Sequence, residues 1–244
     1  MRRSRLRPRN RSAGFTLTEL AIAFVIIALA LGGLAVTLSA QMEARKVAET
    51  QQQFDTAREA LLGFAIRNGR VPCPATATSN GLEAPLGGGN CTAGLNGFLP
   101  GATLGLPGGN DGRVLDGWDE PLRYAVTGWV AAGSPSSTFT TTNEIARVGV
   151  TGLNPAIRIC TAQTCAAAER LTADNTVVAV IYSLGKNRLT TGLAADEAEN
   201  QDGDSDFVTH EPRPAGGPGG EFDDLVSWLP LNTLVSRLVA AGAL

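Results

Sequence analysis

The densest set of potential ligands lies late in the chain, where Asp196, Glu197, Glu199, Asn200, Asp202, Asp204 and Asp206 crowd together after a run that ends Ser183-Leu184-Gly185-Lys186-Asn187. Closely spaced carboxylates are hard oxygen donors of the kind calcium takes, and the spacing nominates Asn200, Asp202, Asp204 and Asp206 as a ligand set. An EF-hand is excluded: counting from Asp202, Phe207 stands where the glycine belongs and Arg213 where the bidentate glutamate belongs. A solvated acidic loop is the other reading of the same residues, and both stay open. Nucleophilic chemistry has less to work with. His210 is the single histidine, so a Ser-His-Asp arrangement would rest wholly on it, and no GxSxG occurs. The runs Gly87-Gly88-Gly89 and Gly108-Gly109 lack the strand, the spacing and the Lys-Ser/Thr ending of a phosphate loop. The expectation is a protein that is not an enzyme.

Four cysteines remain: Cys73, Cys91, Cys160 and Cys165. Neither close pair has CxxC spacing and one histidine is too few, so zinc is poorly served. In an oxidising compartment an even count reads as disulfides, with three possible connectivities. Loop length favours Cys73 with Cys91 and Cys160 with Cys165, the first closing a loop of roughly 20 residues worth about 3 kcal/mol.

That compartment must be supplied by the N-terminus. Residues 20–42 contain no Asp, Glu, Lys or Arg, and a helix of about 23 residues at roughly 1.5 Å each crosses a hydrocarbon core of about 30 Å. Arg2, Arg3, Arg5, Arg7, Arg9 and Arg11 precede it. Such asymmetry holds the N-terminus in the cytoplasm and exports the chain beyond the span. A cleaved secretory signal would have a shorter apolar run and a better site than Leu38-Ser39-Ala40. A permanent anchor explains the length but not Glu19, since a carboxylate inside lipid costs on the order of 2.5 to 3.5 kcal/mol and calls for a partner or a function. The third reading is a signal cut ahead of its apolar core.

The basic leader, Gly14, Phe15, then Thr16-Leu17-Thr18-Glu19-Leu20 and the apolar run resemble the prepilin signal of type IV pilins and type II secretion pseudopilins. The resemblance covers about the first fifth of the chain. It implies that a membrane aspartic peptidase cuts between Gly14 and Phe15 and methylates the new N-terminus. Glu19 then becomes the fifth residue, whose carboxylate pairs with the N-terminal ammonium of a neighbouring subunit. Gly14 offers no side chain to obstruct such a peptidase, and the cut removes the arginines while leaving the apolar helix attached. The implied partners are prepilin peptidase, other pilin or pseudopilin subunits, an inner-membrane assembly platform and membrane lipid. The acidic loop and the segment around Trp118 are similar to the calcium-ordered loop and the first sheet turn of secretion pseudopilins.

The rest of the chain fits that frame. Residues 41–68 carry no proline and are rich in helix formers, with Val47, Phe54 and Leu61 recurring at sevens and Ala57 and Phe64 on the same face. One helix over 15–68, about 80 Å long, is expected. Gly32-Gly33 is its soft point, because paired glycines cost about 1 kcal/mol each relative to alanine. Asn68-Gly69 and then Val71-Pro72-Cys73-Pro74 end it. A loop dense in Gly, Pro and Asn is expected over 75–116. Strands are expected after Trp118 up to Val126, over 145–150, over 156–160, over 177–183 as a buried central strand, and over 222–228. Pro230 opens a final helix with Leu231, Leu234, Val235, Leu238 and Val239 at helical spacing.

The expected fold is α+β and pilin-like: a long N-terminal helix, its first half spanning the membrane, on an antiparallel sheet, with a long helix-to-sheet loop and a short C-terminal helix. The divisions are a cleaved leader at 1–14, a transmembrane and assembly helix at 15–42, its amphipathic continuation at 43–70 and a periplasmic domain at 71–244. Of 244 residues 43% are hydrophobic and 18% charged, enough for one compact exported domain. The formal charge is −3, and without the leader arginines 14 basic residues face 23 acidic ones, which argues against nucleic acid as a partner. The expected function is a structural subunit of a type IV pilus or type II secretion pseudopilus, minor or specialised. It would be single-pass in a bacterial inner membrane or incorporated in the fibre. The alternative is an anchored periplasmic binding or enzymatic domain.

Overall fold

Burial recurs along the first helix at Thr50, Phe54, Ala57, Leu61, Phe64 and Ala65, the three-and-four spacing that puts one stripe of a helix against a core. The structure is a computed structural model that describes residues 16–127, 137–188 and 192–244, with backbone alone over 30–38. The helix, α1, runs Leu17–Asn68. Gly69 terminates it at φ +64°, its N–H bonded to the Ala65 carbonyl at 2.9 Å; a side chain there would be strained and would also meet Asn143.

The chain divides into two compact units, residues 1–45 and 46–244. In the first, Leu20, Ile22, Phe24, Val25, Ile26 and Leu29 are exposed. Among the described residues no helix is long and apolar enough to cross a membrane. The span expected over 15–42 includes Phe15 and the side chains of 30–38, the Gly32-Gly33 pair among them, which lie outside the described residues.

In the second unit a four-stranded antiparallel sheet has the order β1-β2-β4-β6, with β1 at Gly97–Phe98, β2 at Arg123–Val126, β4 at Val177–Ser183 and β6 at Leu225–Pro230. All seven residues of β4 are buried, because both faces of the sheet are covered. On one face Tyr124, Val126, Ala179 and Ile181 pack with Phe54, Ala57, Leu61 and Leu62 of α1. On the other, Ala125, Val180 and Tyr182 join Ile157, Ile159 and Phe207. A register shift between Val177 and Ala179 brings Val178 to the α1 side beside Ala179, as an extra residue in one strand does. The second face is closed by β3, Arg158–Cys160, paired parallel with β5, Asp206–Val208.

Three expectations change. Residues 145–150 are not a strand: α3 spans Glu144–Val148, with a 3₁₀ turn after it at Val150–Gly152. Ile145 is buried and Val148 packs beside the same core, an i, i+3 pair that a strand would split between two faces. The strand expected over 222–228 begins later, at Leu225, with Phe222 bridged instead to Arg213. The loop over 75–116 contains β1 and a short helix, α2, at Gly101–Leu104. The closing helix, α5, is Leu231–Ala240, and Pro230 stands at its N-cap, where no helical N–H is required. It buries Leu234 and Leu238, while Val239 faces out.

Candidate functional site

At the head of α1, Thr16 and Glu19 form a capping box. The Thr16 N–H and hydroxyl donate to Glu19 Oε2 at 2.9 and 2.8 Å, and the Glu19 N–H donates back to Thr16 Oγ1 at 3.3 Å. Glu19 is exposed and lies in the first turn, where the helix dipole favours a carboxylate. Gly14 and Phe15, the expected processing residues, lie outside the described residues.

The acidic segment builds two separate carboxylate groups. A short helix, α4, spans Ala195–Glu199, and its first turn carries Asp196 and Glu197. Of the four residues nominated for calcium, Asn200 and Asp206 are engaged in the interior. Asn200, 2% exposed, donates through Nδ2 to the Val208 carbonyl at 3.1 Å and to Asp224 Oδ2 at 2.8 Å, and accepts the Val208 N–H at 2.7 Å. Asp206 takes a two-point bond from Arg158, 2.6 and 2.5 Å, which pins the β3–β5 pair. Asp202 and Asp204 do come together, with Glu199 as third member, and one oxygen of each lies within 4.8 Å of the others. These groups are half-buried to exposed. Burial and then the charges of Asp202, Asp204 and Asp206 push Glu199 up to about 7, and burial raises Asp204 as well.

The second group is interior. Glu197 from α4 meets Asp223 and Asp224, which lead into β6, again with one oxygen of each within 4.8 Å. Glu197 is 1% exposed and Asp224 4%. Glu197 Oε1 accepts from Asn187 Nδ2 at 2.9 Å and from the Asp223 N–H at 3.3 Å, and Asp223 Oδ2 accepts the Asn187 N–H at 2.9 Å. Glu197 Oε2 and Asp223 Oδ1 are buried with no hydrogen-bond partner among the described residues. Gly185, at φ +62°, lets the chain after β4 press against Asp223, whose backbone and side-chain oxygens would clash with any Cβ there. Burial first, then the Glu197 and Asp223 charges against an opposing bond from Asn200, pushes Asp224 up to about 8. Asp223 rises to about 6, again chiefly through burial. Sequence reasoning counted Glu197 among the acidic residues but treated Asp223 and Asp224 only as the start of a strand. Two adjacent aspartates opening a strand, where that residue type is disfavoured, were the signal available.

The cysteines are bonded as Cys73–Cys91 and Cys160–Cys165. His210 stacks on Phe222 with centroids 3.9 Å apart, and its ring nitrogens face Asp196 Oδ2 and the Glu211 carbonyl. Asp196 is also held by Arg213 at 2.5 Å and by the Gln163 N–H at 3.0 Å. Among the described residues, the bonds of His210 and Asp196 run to a carbonyl, a backbone N–H, an arginine and each other, with no hydroxyl or thiol among them.

Residues 9–35 match the family model described as the prokaryotic N-terminal methylation motif, the signal carried by type IV pilins and pseudopilins. No curated protein and no solved structure matched the chain.

Proposed function

We propose, from the methylation motif at residues 9–35, that this chain is a prepilin-like structural subunit rather than an enzyme. Prepilin peptidase cuts it after Gly14, and it assembles through its N-terminal helix into a type IV pilus or type II secretion pseudopilus as a minor or specialised subunit. The motif is the observation that carries this reading. The apolar side chains of α1 from Leu20 to Leu29, exposed along the helix, add to it: such a surface calls for lipid before assembly and for neighbouring helices afterwards. In this reading the first part of α1 is the inner-membrane anchor, the arginine leader stays cytoplasmic, and the unit from Lys46 onward is periplasmic. The assembly platform and other pilin-type subunits are its partners.

The capping box gives Glu19 a role before assembly. While the leader is attached, Glu19 accepts from Thr16 and starts the helix; the cut creates an ammonium at residue 15 for which the same carboxylate on a neighbour is the acceptor. The test is the N-terminal sequence and mass of the protein from membranes of cells with and without prepilin peptidase. The expected product begins at a methylated Phe15 only when the peptidase is present. An intact leader in both strains would refute the assignment and make the chain a plain anchored domain.

A further inference from the structure

The four-stranded sheet ends in two unlike edges. β1 is two residues long, too short to template another strand. β6 has six residues, none of them charged, and among the described residues no strand lies on its outer side. Unlike β4, whose seven residues are all buried, β6 leaves Val226, Trp228 and Pro230 partly exposed. We propose that the outer edge of β6 is a docking site for an extended peptide segment of another protein, one that carries an acidic side chain on one face and an apolar side chain on the other.

In an antiparallel pair alternate residues turn their N–H and C=O groups away from the partner strand, so β6 offers an incoming chain a row of backbone donors and acceptors. Its side chains alternate as well. Leu225 and Leu229 pack with the α1 core and Ser227 accepts from Arg58 Nη2 at 2.7 Å, while Val226 and Trp228 pack on the opposite face. A cavity opens on each side of the row. Toward α1, Gln51, Arg58, Ser227 and Thr233 line about 390 Å³. On the Trp228 side, Val177, Trp228, Leu231 and Val235 help line about 570 Å³, with no charged residue in the wall. Trp228 and Pro230 border both, so the two cavities flank one stretch of the edge. Arg58 supplies the charge that selects an acidic side chain. Its ion pair is with the exposed Asp55 three positions earlier, at 3.4 Å, and its Nε has no hydrogen-bond partner among the described residues. Such a surface pair holds little, and a carboxylate brought in on an added strand can take its place. The uncharged cavity removes an apolar side chain from water. Successive side chains of a strand point to opposite faces, so the acidic and apolar residues must stand an odd number of positions apart. The docking site rests on the sheet edge and its cavities and does not depend on the assembly reading.

The test uses the whole chain in detergent, its disulfides oxidised, to select from a phage library of random linear nine-residue peptides; the selected sequences are synthesised and titrated by calorimetry. They should carry Asp or Glu and a large apolar residue at odd separation. Methylating the alternate backbone nitrogens that face β6 should weaken binding by about tenfold or more, and methylating the other set should not, because only one set bonds to the edge. Arg58→Gln should weaken the acidic peptides by about tenfold and leave peptides with Gln in place of the acid unchanged. Val235→Asp should remove the preference for the apolar residue. A library that yields no enriched peptide overturns the proposal, as does binding indifferent to methylation of either set or affinity for acidic peptides kept in Arg58→Gln. Sedimentation of the chain is run alongside: a dimer that added peptide fails to dissociate assigns the edge to a second copy and overturns the peptide reading. The synthetic peptides keep the test decisive if a variant does not fold. Cleavage at Phe15 is measured separately, so failure of the docking site leaves the subunit assignment standing, and the reverse.

Discussion

Asn200→Ala separates two roles for one residue, ligand or clamp. Its amide makes three bonds, to the Val208 carbonyl and N–H and to Asp224 Oδ2, in a place where Asn200 is 2% and Val208 0% exposed. At about 1 kcal/mol net per bond the loss is about 3 kcal/mol, and the unpaired Val208 groups carry it toward about 4. With an m-value of about 2 kcal/mol/M, the urea midpoint should fall by about 1.5 to 2 M. The assay is urea unfolding of the chain in detergent with EDTA present, read by tryptophan fluorescence, since Trp118 is buried and Trp228 lies on β6. EDTA removes any contribution from a bound cation, so the clamp alone is measured. A loss under about 1 kcal/mol in EDTA would refute the clamp. A loss seen only with calcium would show that Asn200 is a ligand, as the sequence spacing suggested.

Burial and loop length set two further outcomes. Removing the Cys73–Cys91 bridge, whose cysteines are 18 positions apart, should cost about 3 kcal/mol, and removing Cys160–Cys165, only 5 apart, about 1 kcal/mol less, by the chain-entropy relation. Urea midpoints of the paired serine variants test the order; a larger loss from the short loop would contradict it. Tyr124 and Tyr182 are the chain's two tyrosines, and burial pushes both phenols far above their ordinary value of about 10. Both stay neutral in the folded state while the unfolded chain ionises, so the stability present below about pH 10 declines above it, by up to about 1.4 kcal/mol per pH unit for each. Tyrosinate absorbance should rise only together with loss of the far-ultraviolet dichroism. A phenol titrating near pH 10 with the fold intact would show that one of them is reached by water.

The elements legible in advance were those whose signals lie between near neighbours in the chain. Phe54, Ala57 and Leu61 share a helical face, and they are the residues α1 buries. The unbroken apolar run 177–183 is the strand covered on both sides. Pro230 marks the start of α5. The capping box was equally legible at Thr16 and Glu19, in the spacing T-x-x-E, and went unread because the carboxylate was considered only for its place in an apolar run. Residues 145–150 misled because Ile145 and Val148, with Val150 beyond, are β-branched; the core that takes Ile145 and Val148 on one side selects a helix over that preference.

The acidic region marks the boundary most clearly. Composition and spacing alone placed a crowd of carboxylates after the central strand, an apolar run behind a basic leader, and cysteines at distances suited to short loops. Each arises from residues close in sequence, where helical period, charge asymmetry and loop entropy act. Only the tertiary structure decided which acids lose their water. It gave Asp206 an arginine, turned Asn200 into a clamp, left Glu199, Asp202 and Asp204 near the surface, and set Glu197 against Asp223 and Asp224. A carboxylate in a sequence reads as solvated because most are. Its burial depends on the packing of α4 against the segment entering β6, and no local pattern encodes a contact between residues so far apart in the chain.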